Sequence, residues 1–169
     1  MTDAQLITDG ARPAVRLERR LPDPPKVVWQ AITQREQLKS WFPCDVIVDG
    51  GVWQVGAAIT FRFPSDVIDM TLSGEVLAVD EPNLLSFTWG EETLRFELTE
   101  YEGGTRLVLV DELPPGAAAR NAAGWDECLD RLVGVAPAPD AWKSRFAVYS
   151  AAFESVLGPQ EGPPADYKG

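Results

Sequence analysis

Histidine is missing from all 169 residues, and cysteine occurs only at Cys44 and Cys128. Without imidazole no Ser-His-Asp or Cys-His site can be assembled, and zinc sites built on histidine are ruled out. Two thiols cannot supply a four-thiolate site within one chain. The expectation is a protein with no metal, no other cofactor and no essential disulfide. Basic residues are also scarce, 15 Lys and Arg against 26 Asp and Glu, for a formal net charge of -11. Such a field repels phosphate backbones and anionic headgroups, so neither nucleic acid nor a membrane surface is an expected partner. No apolar run approaches the ~20 residues that span a bilayer. Residues 1–10 lack the basic and apolar regions of a signal peptide, and thiols without an obvious partner fit a reducing compartment, so the cytoplasm is the expected location.

What the chain does have is apolar residues, 45% of the total, enough for one domain with a real core. Residues 12–158 carry the periodic patterns and form that expected domain. Residues 1–11 and 159–169, rich in small and polar residues, are expected to be frayed tails.

Val15, Leu17 and Arg19 alternate with Arg16, Glu18 and Arg20, which predicts a strand over 14–21. Asp23-Pro24-Pro25 then offers a helix start, followed by Val27, Val28, Trp29, Ala31 and Ile32. A second short helix is predicted over 35–41, stopped by Phe42-Pro43. Cys44 to Val48 reads as a strand, and Asp49-Gly50-Gly51 as a turn. A meander follows. Ile59, Phe61 and Phe63 share one strand face, Asp69 to Val79 form the next strand, and Leu85, Phe87 and Trp89 share a face of the third. Leu94, Phe96 and Leu98 come next, and Gly103-Gly104 turns the chain into Leu107 to Val110. The short connections favour antiparallel hairpins over parallel crossovers. After Pro114-Pro115-Gly116 the period changes from two to 3.6, with Trp125, Leu129, Leu132 and Val133 on one helical stripe. Pro137-Ala138-Pro139-Asp140 separates this helix from a last one carrying Trp142, Phe146, Tyr149, Phe153 and Val156, ended by Gly158-Pro159.

The segments Val27-Val28-Trp29-Gln30-Ala31-Ile32-Thr33 and Leu38-Lys39-Ser40-Trp41-Phe42 resemble the opening of START-like (SRPBCC, helix-grip) domains. The subfamily is that of the activator of the heat-shock-protein ATPase, the AHSA type. Gly74-Glu75-Val76 with Asp80 to Trp89 is similar to its central hairpin, Gly103 to Leu107 to its last hairpin, and Gly124-Trp125 with Cys128 to Leu132 to its grip helix. The resemblance spans about residues 14–158. It implies an α+β helix-grip fold, a curved seven-stranded antiparallel sheet around a long C-terminal helix. Two short helices and an extra terminal helix accompany it, and a cavity lies between sheet and helix.

The function this implies is binding or sensing of a small hydrophobic molecule, a lipid, a polyketide or another aromatic. Candidate cavity residues are Trp41, Phe42, Phe61, Phe63, Met70, Phe87, Trp89, Phe96, Trp125, Cys128, Leu129 and Leu132. Core packing is the competing reading of the same aromatics. Strand charges Arg62, Glu75, Arg95, Arg106, Asp111 and Glu112 are assigned to the solvated face, with Glu75 and Arg95 the first candidates to point inward. Cys128 reads as a small buried hydrophobe rather than a nucleophile. Gly124, inside a helix, is expected to permit close packing on the sheet, so that a leucine there would overpack. An alternative is a cofactor-free cyclase-like or hydrolase-like enzyme, in which Glu75, Asp111 or Tyr101 moves a proton inside the cavity. Another is a chaperone-activating interaction module, and a homodimer or protein partner is left open.

Overall fold

The structure, a computed structural model, describes residues 3–163. It contains eight strands, β1 (Gln5–Ile7), β2 (Ala14–Leu21), β3 (Asp45–Val48), β4 (Ala58–Arg62), β5 (Thr71–Asp80), β6 (Leu84–Trp89), β7 (Glu92–Tyr101) and β8 (Gly104–Glu112). The helices are α1 (Pro25–Thr33), α2 (Arg35–Leu38), α3 (Ala118–Leu132) and α4 (Ala141–Leu157). All strand pairings are antiparallel, in the order β1-β2-β8-β7-β6-β5-β4-β3. Among the described residues no helix is long and apolar enough to cross a membrane.

The sheet has one strand more than the expected seven. Strand β1, within the segment expected to fray, pairs Gln5 with Arg16 and Ile7 with Ala14. Its three residues are too few for a periodic signal, and backbone pairing to β2 orders them. Residues beyond 158 also dock. The Glu161 amide donates to Gly116 O, and the Ala119 amide donates to the Gln160 side chain. The remaining tail residues, 1–2 and 164–169, lie outside the described residues.

Period-two alternation determines which side chains face the helices. Val15, Leu17, Leu85, Phe87, Leu94, Phe96, Leu107 and Leu109 are buried on that face. The face is filled rather than hollow. Trp89 is the hub, with ring centroids at 4.9 Å from Phe61, 5.2 Å from Phe42, 5.6 Å from Phe63 and 5.8 Å from Trp125. Phe61, Phe87 and Phe96 stack behind it, and Trp41 closes on Phe96 edge-on. Helix α3 comes close to this face through buried alanines, Ala118, Ala119, Ala122 and Ala123, whose small side chains permit the approach.

Gly74 on β5 has no room for a side chain. A Cβ there would lie 2.1 Å from Thr88 O and 2.7 Å from Phe61 Cε2. Gly74→Ala is expected to cost about 3 kcal/mol through overpacking against backbone that cannot rotate away. Urea unfolding checks it, and an unchanged midpoint would show that β5 and β6 separate at no cost.

Candidate functional site

Where the β6–β7 hairpin tip meets α3 and α4, a cleft of about 440 Å³ remains. Its apolar walls are Phe63, Ile68, Met70 and Leu72 from the β4–β5 side, Trp89 from β6, Trp125 and Cys128 from α3, and Trp142 from α4. Trp142 is braced by parallel stacking on Phe146, with centroids 5.0 Å apart. A neighbouring depression of about 580 Å³ shares Pro43, Phe63 and Met70 with the cleft, but Lys39, Asp45, Arg62 and Asp69 make it far more polar.

Gly124 also lines the cleft, and this corrects its expected role. A Cβ built on it meets only Trp142 Nε1, at 4.0 Å. The residue keeps space open instead of drawing α3 onto the sheet.

The candidate cavity residues separate into four places. Phe63, Met70, Trp89, Trp125 and Cys128 wall the cleft. Trp41, Phe42, Phe61, Phe87, Phe96 and Leu129 are in the core, and Phe42 also reaches the polar depression. Leu132 is half-buried near the end of α3 and lies off the cleft, because the buried face of α3 is turned toward its alanines, Trp125 and Leu129. Glu75 and Arg95 are exposed, which corrects their inward assignment. Val76 and Phe96 take the inward positions beside them, so alternation sends the charges to solvent, where Arg95 pairs with Glu97 at 3.0 Å.

Asp111 does the opposite of its solvent-facing assignment. It shares the inward face of β8 with Leu107, Leu109 and Leu113 and has no exposed surface. Trp125 Nε1 donates to its Oδ2 at 2.9 Å. Across the sheet, Glu92 lies in phase with Leu94 and Phe96 on β7 and reaches the cleft wall. Asn121 Nδ2 donates to Glu92 Oε2 at 3.3 Å.

The two carboxyls are within hydrogen-bonding reach of each other. Glu92 Oε1 and Asp111 Oδ1 are both buried with no donor. Two acceptors so placed are satisfied by one proton between them. Burial, then the neighbouring carboxyl, pushes Asp111 well above the usual carboxylate range, and burial likewise raises Glu92. Alternation along β7 and β8 was the signal that places both residues inward. Of the proton-transfer candidates, Asp111 is desolvated beside the cleft, Glu75 is exposed, and Tyr101 lies at the far end of β7 under the Arg20 guanidinium. Cys128, whose thiol burial pushes up to about 12, stays protonated.

Residues 23–136 match the family described as Activator of Hsp90 ATPase homolog 1-like protein. The chain belongs to that family. The AHSA1-like architecture extends through most of the chain in solved structures. A conserved protein of unknown function from Enterococcus faecalis superposes with a TM-score of 0.76 at 22% identity, covering 91% of this chain and 92% of its own. CalU16 from Micromonospora echinospora gives 0.68 at 22%, covering 89% and 94%. DynU16, described as a protein in the dynemicin biosynthetic locus, gives 0.60 at 24% and covers 71% of this chain but 45% of its own. At these identities the likeness is one of fold. No curated protein matches the sequence. In this chain the sheet face under α3 is filled, and the apolar space is the cleft beside Trp89 and Trp125.

Proposed function

We propose that this protein binds a small aromatic or otherwise apolar molecule in the cleft between the β6–β7 hairpin, α3 and α4. The observation that carries this reading is the cleft itself, about 440 Å³ walled by Trp89, Trp125 and Trp142 and kept open by Gly124. Its volume and apolar walls suit a small organic guest, for which pockets typically measure roughly 300–1,000 Å³. That DynU16 comes from a biosynthetic locus accords with small-molecule handling.

Titrating fatty acids, sterols and aromatic polyketides while following tryptophan emission tests the reading, because three indoles line the site. Aromatic guests are expected to shift the emission, and Gly124→Leu to abolish the shift by occupying the cleft. The same substitution is expected to leave the melting temperature unchanged or raise it, since glycine inside a helix costs about 1 kcal/mol and the new side chain enters open space. No shift with any compound, or equal binding by the variant, would overturn the reading.

Asp111 favours one second reading, a cofactor-free enzyme in which the carboxyl pair exchanges a proton with the guest. Incorporation of solvent deuterium into a bound ketone would show it, and a guest that binds without exchange would exclude it.

A further inference from the structure

The carboxyl pair lies buried at the cleft, and the charges of Arg12 and Arg120 reach it only through space. Among the described residues, neither Glu92 nor Asp111 forms an ion pair. The two nearest guanidinium groups are directed elsewhere. Arg12 donates to Glu91 O at 2.8 Å. Arg120, on the cleft wall, donates to Gly162 O at 3.2 Å and pairs with Glu161 at 3.6 Å. The remaining neighbours of the pair are the neutral donors Asn121 and Trp125 and, at the hairpin tip, the carboxylate of Glu91. Indoles from three elements, Trp89, Trp125 and Trp142, surround the space in front of Glu92.

A carboxylate in an apolar, indole-lined cleft is the chemistry that recognises an ammonium group, which gains an ionic partner in a site with little water. Deepening the proposed function and resting on it, we infer that the guest carries a protonated amine. The ammonium sits on Glu92 and the apolar part lies among the three tryptophans. Asp111 is the positioning partner. Through the proton shared with Glu92 it keeps the empty site at one negative charge, and its Oδ2 holds the Trp125 ring in place. An arriving ammonium pairs with the single negative charge on Glu92, while the proton stays with fully buried Asp111. The protein's net charge of -11 raises the local concentration of cations and disfavours anionic guests.

Three probes of matched shape separate the terms, namely 2-naphthylmethylamine, 2-naphthylmethanol and 2-naphthoate. They would be titrated calorimetrically near neutral pH in two buffers of different ionisation enthalpy. The amine is expected to bind about tenfold or more tighter than the alcohol, and the naphthoate to bind most weakly. Neither amine nor alcohol binding is expected to exchange a proton with buffer, so the heats should be the same in both buffers. In Glu92→Gln the amine's advantage over the alcohol is expected to collapse, a ratio measured within one folded protein whose melt is recorded alongside.

If the alcohol binds as well as the amine, or if Glu92→Gln keeps the amine's advantage, the amine inference is overturned while the cleft reading stands. If none of the three probes binds, the cleft reading falls and takes this inference with it.

Discussion

Replacing Arg19 with methionine is expected to lower the stability of the fold by about 3–5 kcal/mol, because it strands a buried carboxylate. Arg19 is an arginine on the inward face of β2, where Val15 and Leu17 are its neighbours in phase, and it is almost entirely buried. Its Nη2 donates to Asp126 Oδ1 at 2.9 Å and to Asp130 Oδ1 at 3.5 Å, and its Nη1 donates to Asp3 at 3.0 Å. The Tyr149 hydroxyl donates to Asp126 Oδ2 and accepts from the Ala4 amide, and Arg145 holds Asp130 at 2.6 Å. One guanidinium therefore joins β2, the N-terminal segment and α3, and the carboxylates it binds reach α4.

For a chain of this length the loss corresponds to a fall in melting temperature of about 10 °C. Burial already pushes the Asp126 carboxyl upward against the hydrogen bonds from Tyr149 and Arg19. The variant's deficit is therefore expected to shrink at acidic pH, where Asp126 takes up a proton. Arg19→Met combined with Asp126→Leu is expected to recover most of the loss, since it removes the stranded Asp126 carboxylate while Asp130 keeps its pairing with Arg145. Thermal melts of the three proteins decide it, and a single variant that melts with the wild type would mean that the network carries no net stability.

Asp111→Asn is expected to stabilise the protein increasingly as pH rises. Burial raises both members of the Glu92–Asp111 pair, so near neutrality the native state retains a proton that exposed carboxyls, titrating near ~4, have released. The folded state then binds more protons than the unfolded one. Stability from this source is present below the unfolded carboxyl range and is lost as pH rises toward the pair's own range, by about 1.4 kcal/mol per pH unit for one proton. An asparagine amide donates to Glu92 and accepts from Trp125 without taking up that proton. Melts at about pH 5 and about pH 8 are expected to show a small difference at the lower pH and a clear advantage for the variant at the higher. Parallel pH profiles for the two proteins would mean that no proton is shared.

Local chemistry in the sequence determined the strands, the helices and much of the core. The alternation of Val15, Leu17 and Arg19, and of Leu85, Phe87 and Trp89, marks both the strands and their buried sides, and the change of period after Pro115 marks α3. The same alternation carries Glu92 and Asp111 inward, and Glu75 and Arg95 outward. The general expectation that strand charges face solvent holds for Arg62, Glu75, Arg95 and Glu112 and fails at Asp111. Burial of Asp111 becomes tolerable through the Trp125 indole N–H and the Glu92 carboxyl, from another helix and another strand, and a local pattern contains neither.

Tertiary structure alone decided where empty space remains. The aromatics that could have lined a large cavity instead stack on Trp89 and fill it, because their rings meet across strands that are distant in sequence. The cleft survives at the hairpin tip because α3 presents Gly124 there while Trp142 of α4 stands across from it. A helical glycine looks the same in sequence whether its missing side chain admits a sheet or a ligand. That difference depends on what the fold places opposite it, and at Gly124 the fold places only the edge of an indole.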